Sequence, residues 1–136
     1  MKIFDCFQYF DEDMMLNLRL NILDKYIDRF VIVESLFMHN GKEKKRNFKI
    51  ENFKKFEHKI NYVLLDSLPD DLNELDKNKI DHNKIIDNAL KIEKKQRNMI
   101  SEGITSASAN DLIFFSDVDE IPNLENFEYK NKITVF

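Results

Sequence analysis

The run Asp111-Leu112-Ile113-Phe114-Phe115-Ser116-Asp117-Val118-Asp119-Glu120 changes character at its midpoint. Residues 111–116 are apolar almost throughout, which predicts a short strand buried on both faces, the kind found in parallel sheets covered by helices. Three carboxylates follow at once, so Asp117, Asp119 and Glu120 emerge where the strand ends. Open parallel sheets bind ligands beyond the carboxyl ends of their strands.

The neighbouring segments fit such a sheet. Residues 2–9 and 60–66 and the run Phe30-Val31-Ile32-Val33-Glu34-Ser35 read as strands. Between them, Met15, Leu18 and Ile22, with Leu16, Leu20 and Leu23 beside them, predict a helix over 14–25 with a wide apolar face, capped by Asp11 or Asp13. Asn40-Gly41 reads as a turn and 51–57 as a short helix. An acidic connection from Asp66 to Asp81, with Pro69, leads into a long helix over 83–103 that Gly103 should close. Pro122 should open another helical turn, and 132–136 should form a last strand. Strands alternating with helices predict an α/β fold, a mostly parallel sheet flanked by helices, in one domain over 1–136. Phe7-Gln8-Tyr9, Glu34-Ser35, Asp66-Ser67 and residues 117–120 should then share one edge.

Composition narrows the class. With 43% hydrophobic and 34% charged residues the chain is globular, and 136 residues are enough for one core. Net charge is −4, which argues against nucleic acid as a partner. The basic excess in 41–59, from Lys42 and Lys44 to Lys59, reads as a solvated face. A single cysteine, Cys6, rules out an internal disulfide, and the three histidines have no metal-ligand spacing. No signal peptide or membrane span is visible, so a cytoplasmic or membrane-peripheral location is expected.

Asp117 and Asp119 carry the sharpest chemical signal. Carboxylates this close repel unless a cation lies between them, and Mg2+ or Mn2+ takes oxygen ligands while leaving positions for phosphate. The competing reading is an acidic helix start before Pro122. On the long helix, Ile85, Ala89, Ile92, Gln96 and Met99 form one face, and Ile86, Leu90, Glu93, Arg97 and Ile100 the next. Arg97 would either pair with a carboxylate of the protein or hold a diphosphate. Arg19 lies among apolar helix positions, where a salt link to Glu12 is expected. Glu34 would hydrogen-bond a ribose or base, or be solvated where its strand emerges.

Taken in order, Phe4-Asp5-Cys6-Phe7, Phe10-Asp11-Glu12, Leu18-Arg19-Leu20, Phe30-Val31-Ile32-Val33-Glu34-Ser35, Gly41-Lys42, Gln96-Arg97-Asn98 and Ser116-Asp117-Val118-Asp119-Glu120-Ile121-Pro122 resemble glycosyltransferase family 17. The resemblance covers about residues 3–127. It implies a GT-A-like fold, a UDP-sugar donor (GlcNAc foremost), a glycan acceptor, and Mn2+ or Mg2+, while the anchorless start and the abundance of Lys, Asn and Ile shift the expected acceptor toward a surface polysaccharide or lipid-linked saccharide. By the same resemblance, Phe7, Glu34, Gln96, Arg97, Asn98 and Asp117 would bind the nucleotide-sugar. Asp119 would hold the metal, with Asp117 as a second ligand or on the ribose. Members of the family are about twice this length, so truncation after the D-x-D motif is expected. Acceptor contacts and the catalytic base would then be missing. A nucleotide-sugar-binding remnant without transfer is the alternative, and self-association through an exposed strand edge is expected. An Asp-x-Asp behind a strand also opens the haloacid-dehalogenase phosphatases, but there it stands near the start of the domain.

Overall fold

The computed structural model describes residues 1–129. The strand expected over 132–136 lies outside them. Four strands, β1 (Ile3–Tyr9), β2 (Arg29–Ser35), β3 (Ile60–Leu65) and β4 (Leu112–Phe115), form one sheet in the order β3-β2-β1-β4. Every pairing is parallel, with Phe4 opposite Arg29, Ile3 opposite Leu112 and Phe30 opposite Ile60. Helix α1 (Asp13–Leu23) connects β1 to β2, and α2 (His82–Asn98) with the short α3 (Ile100–Gly103) leads into β4. The expected α/β architecture is therefore present, and it is consistent with a GT-A-like arrangement.

Period-two alternation sorts the strand residues between two cores. Phe7, Tyr9, Phe30 and Ile32 face α1 and the 3-10 segment Ile50–Lys59, where they pack on Leu16, Leu20, Leu23, Phe48, Phe53 and Phe56. Phe4, Cys6, Val31 and Val33 face the other way, toward Met99 and Ile100. Burial between these strands pushes the Cys6 thiol up to about 12 from its ordinary 9.0, and the adjacent Asp5 adds to the effect.

Several local expectations are corrected. The buried stripe of α1 is Leu16, Arg19, Leu20 and Leu23, at i, i+3, i+4 and i+7, while Leu18 and Ile22 are about half exposed. Neither Asp11 nor Asp13 caps α1. The N-cap position is Glu12, which makes no side-chain cap, and the Asp13 carboxylate accepts from the Tyr9 hydroxyl. On α2 the cap is Asp81, which accepts from the Asn83 and Lys84 amides. The stretch read as one helix over 83–103 is divided at Met99, and Gly103 does not adopt the left-handed conformation. Gly41 does, with φ +80°, closing the turn in which the Met38 amide donates to the Lys42 carbonyl. Pro122 opens no helical turn.

β4 is not buried on both faces. With β3 it is one of the two edge strands among the described residues, and Ile113 and Phe115 are 41% and 45% exposed. The Arg97 guanidinium lies over the Phe115 ring, but cover on that side is only partial among the described residues.

Candidate functional site

In the order 3-2-1-4, the chain leaves β1 on one side toward β2 and returns on the other side as β4. At that switch point the loops following β1 and β4 diverge, and a crevice opens beyond the carboxyl ends of the strands. A cleft of about 790 Å³ lies there. Gln8, Tyr9 and Phe10 line it from the end of β1, Ser35, Phe37, His39 and Lys44 from β2 and its hairpin, and Asp117, Val118 and Asp119 from the end of β4. Glu12, Met15, Glu93 and Gln96 complete it from α1 and α2. Clefts of this size suit a ligand as large as a nucleotide.

The carboxylates of Asp117 and Asp119 are exposed at this edge and make no hydrogen bond or ion pair among the described residues. Glu120 is committed differently, since its carboxylate accepts from the Asp117 amide at 3.1 Å. No three His, Cys, Asp or Glu side chains gather into a metal-binding group among the described residues. Two free carboxylates suit a cation that takes its remaining ligands from a substrate's phosphates and from water.

The loop that carries them is fixed from below. Arg19 is fully buried and donates to both oxygens of Asp5, at 2.8 and 2.7 Å. It also donates to the carbonyls of Asp117, Val118 and Glu120 at 2.7, 3.2 and 3.1 Å and to the Ser116 hydroxyl at 2.7 Å. The expected link from Arg19 to Glu12 is corrected. The Glu12 carboxylate instead accepts from the amides of Phe10 and Asp11, closing the turn at the mouth of the cleft.

Glu34 is fully buried, not solvated. Its carboxylate accepts from Lys44 Nζ, the Asn47 and Phe48 amides and the Tyr62 hydroxyl. Burial alone would raise its pKa, but these four donors outweigh it and hold the carboxyl below its ordinary value of 4.5. Burial and the bond to Glu34 push the Tyr62 hydroxyl well above its usual range. Glu34 thus shapes the cleft indirectly, by seating Lys44 and the segment that returns from the hairpin.

The remaining expected site residues divide. Gln96 is buried and lines the cleft, where its Nε2 donates to the Val33 carbonyl at 3.1 Å. Arg97 lies outside the lining, paired with Glu93 at 2.7 Å and lying over the Phe115 ring. Asn98 is exposed and also outside it. Phe7 is wholly buried under the Arg19 guanidinium, so it supports the site from within the core and cannot touch a ligand. Asp66 and Ser67 end β3 on the far side of the sheet and do not reach the cleft.

Phe10, Met15, Phe37, His39, Lys44 and Glu93 line the cleft although the sequence assigned none of them a place in the site. One signal was available. The Asn40-Gly41 turn follows a strand's carboxyl end, so in a parallel sheet its flanks belong at the ligand edge.

The sequence model of glycosyltransferase family 17 matches residues 1–133. No curated protein and no solved structure gives a significant match.

Proposed function

The chain belongs to glycosyltransferase family 17, and from that premise we propose that its cleft binds a UDP-sugar together with Mn2+ or Mg2+ for transfer to a glycan or lipid-linked saccharide. GlcNAc is the donor sugar that the resemblance favours. What carries the reading is the charge in the cleft. Among the described residues Glu12, Asp117 and Asp119 line it without a cationic partner, Glu93 is paired with Arg97, and the one lysine in the lining, Lys44, is already paired with Glu34. A bare diphosphate would be repelled there, whereas a diphosphate carrying a divalent cation would be attracted.

Asp117 and Asp119 would hold the cation, which when bound neutralises charge on the departing diphosphate. Tyr9, Phe10, Met15, Phe37 and Val118 offer apolar wall for the nucleoside, and Gln8, Ser35 and His39 offer polar groups for orientation. Val118 packs into the core between the two acids, which pins the motif while leaving its carboxylates outward.

No helix among the described residues is long and apolar enough to cross a membrane. A cytoplasmic or membrane-peripheral location is part of the proposal.

Calorimetry of UDP and UDP-GlcNAc binding, with Mn2+ and with EDTA, tests the reading. Binding should require the cation, and Asp119→Asn should weaken it at least about tenfold, or about 1.4 kcal/mol. Equal affinity in Mn2+ and EDTA would overturn it. Binding without turnover on any glycan acceptor would restrict the function to nucleotide-sugar binding.

A further inference from the structure

We propose that Arg19 is a positioning residue that sets the geometry of the Asp117–Asp119 loop, with Asp5 as its counter-charge. The proposal rests on the reading of the cleft as a metal-diphosphate site.

A guanidinium has five N–H donors in a rigid planar fork. In Arg19 each of its three nitrogens is bonded. Nε and Nη2 hold Asp5 bidentately, Nη2 also reaches the Ser116 hydroxyl, and Nη1 meets the carbonyls of Asp117, Val118 and Glu120. Three carbonyls within four residues converge on one cation, so the loop bends around the guanidinium and carries its two free carboxylates into the cleft. The Ser116 hydroxyl donates in turn to the Glu120 carbonyl at 3.1 Å, closing the ring of contacts. Asp5 stands on β1 and Arg19 on α1, so the loop after β4 is tied to the two elements that form the opposite wall of the cleft.

A buried ion pair alone is weak evidence for a role, since well-packed apolar residues often serve stability as well. The distinguishing feature here is the direction of the other bonds. A buried guanidinium must satisfy all of its donors, and here every one not used on Asp5 goes to the single segment 116–120, beneath two exposed carboxylates. Lysine could keep the charge but not the fork, because one ammonium cannot span Asp5 and three carbonyls.

The test compares wild type, Arg19→Lys and Ser116→Ala. One measurement is amide hydrogen exchange at Asp117, Glu120 and Ile121, with the β1 and β2 amides as internal reference. The other is calorimetric affinity for UDP with Mn2+. Folded Arg19→Lys should exchange its loop amides at least about tenfold faster while β1 and β2 stay protected. It should also bind UDP–Mn2+ at least about tenfold more weakly. Ser116→Ala, which keeps the ion pair, should shift both in the same direction by a smaller factor, and it decides the matter if Arg19→Lys does not fold. Unchanged loop exchange in a folded variant overturns the proposal. So does acceleration spread equally over β1, β2 and the loop, which would mark Arg19 as merely stabilising. If wild type binds no UDP with Mn2+, the site reading fails, and the exchange data still decide whether Arg19 holds the loop.

Discussion

Gly103 lies so close to Val31 that a Cβ on the glycine would sit 2.2 Å from Val31 Cγ1. The glycine serves close helix–sheet approach, and the Asn61 side-chain amide donates to its carbonyl at 2.8 Å. Gly103→Ala should therefore destabilise the fold by about 1–3 kcal/mol through overpacking. Urea denaturation measures this. Val31→Ala removes the obstructing methyls, so the double variant should lose less than the sum of the two single ones.

Acidification should weaken the fold through Glu34. Its folded pKa lies below the ordinary 4.5, so its contribution is fully present above that value and is lost as pH falls through the lowered one. Urea midpoints of wild type and Glu34→Gln, measured from pH 6 down to pH 3, should differ most at the upper end and converge toward the lower. At pH 6 the variant should be clearly less stable, because Lys44 is left buried without its counter-charge.

Arg97 should act on the cleft through Glu93. It neutralises a carboxylate that lines the cleft while lying outside the lining itself. Arg97→Ala should weaken UDP–Mn2+ binding about two- to fivefold, in keeping with the ~0.2–1 kcal/mol typical of an exposed pair. Adding Glu93→Gln should restore the affinity in calorimetry. A loss that persists in the double variant would mean that Arg97 contacts the ligand directly.

The partly exposed apolar face of β4 should drive self-association. Ile113 and Phe115 are exposed on an edge strand among the described residues, and Ile86 and Leu90 are exposed on α2. Exposed apolar strand edges recruit other chains. Sedimentation velocity of the wild type should depend on concentration in the micromolar range, and Phe115→Thr should shift it toward monomer. Because Phe115 is already 45% exposed, the substitution should cost about 1 kcal/mol or less.

Much of the fold is legible along the chain because its signals are local. Apolar runs mark β1, β2 and β3, the i, i+3, i+4 recurrence marks α1, and Asn40-Gly41 marks a turn. Asp117 and Asp119 could be placed at a strand's carboxyl end for the same reason, since an abrupt change from apolar to acidic is visible without any partner.

What the tertiary structure decided are pairings between distant residues. Strand order is one of them. Only the insertion of β1 between β2 and β4 makes the end of β1 a wall of the cleft and leaves β4 at an edge among the described residues, where its apolar side chains are partly exposed. Arg19 is another, since helical spacing suggests Glu12 while the fold supplies Asp5 from the facing strand. Glu34 is a third, with donors from Lys44, Asn47, Phe48 and Tyr62 that no periodicity connects. A buried polar group must find partners, but the sequence states only that need. Which atoms meet it depends on how strands and helices pack across tens of residues, and that packing turned a helix arginine into the anchor of the acidic loop.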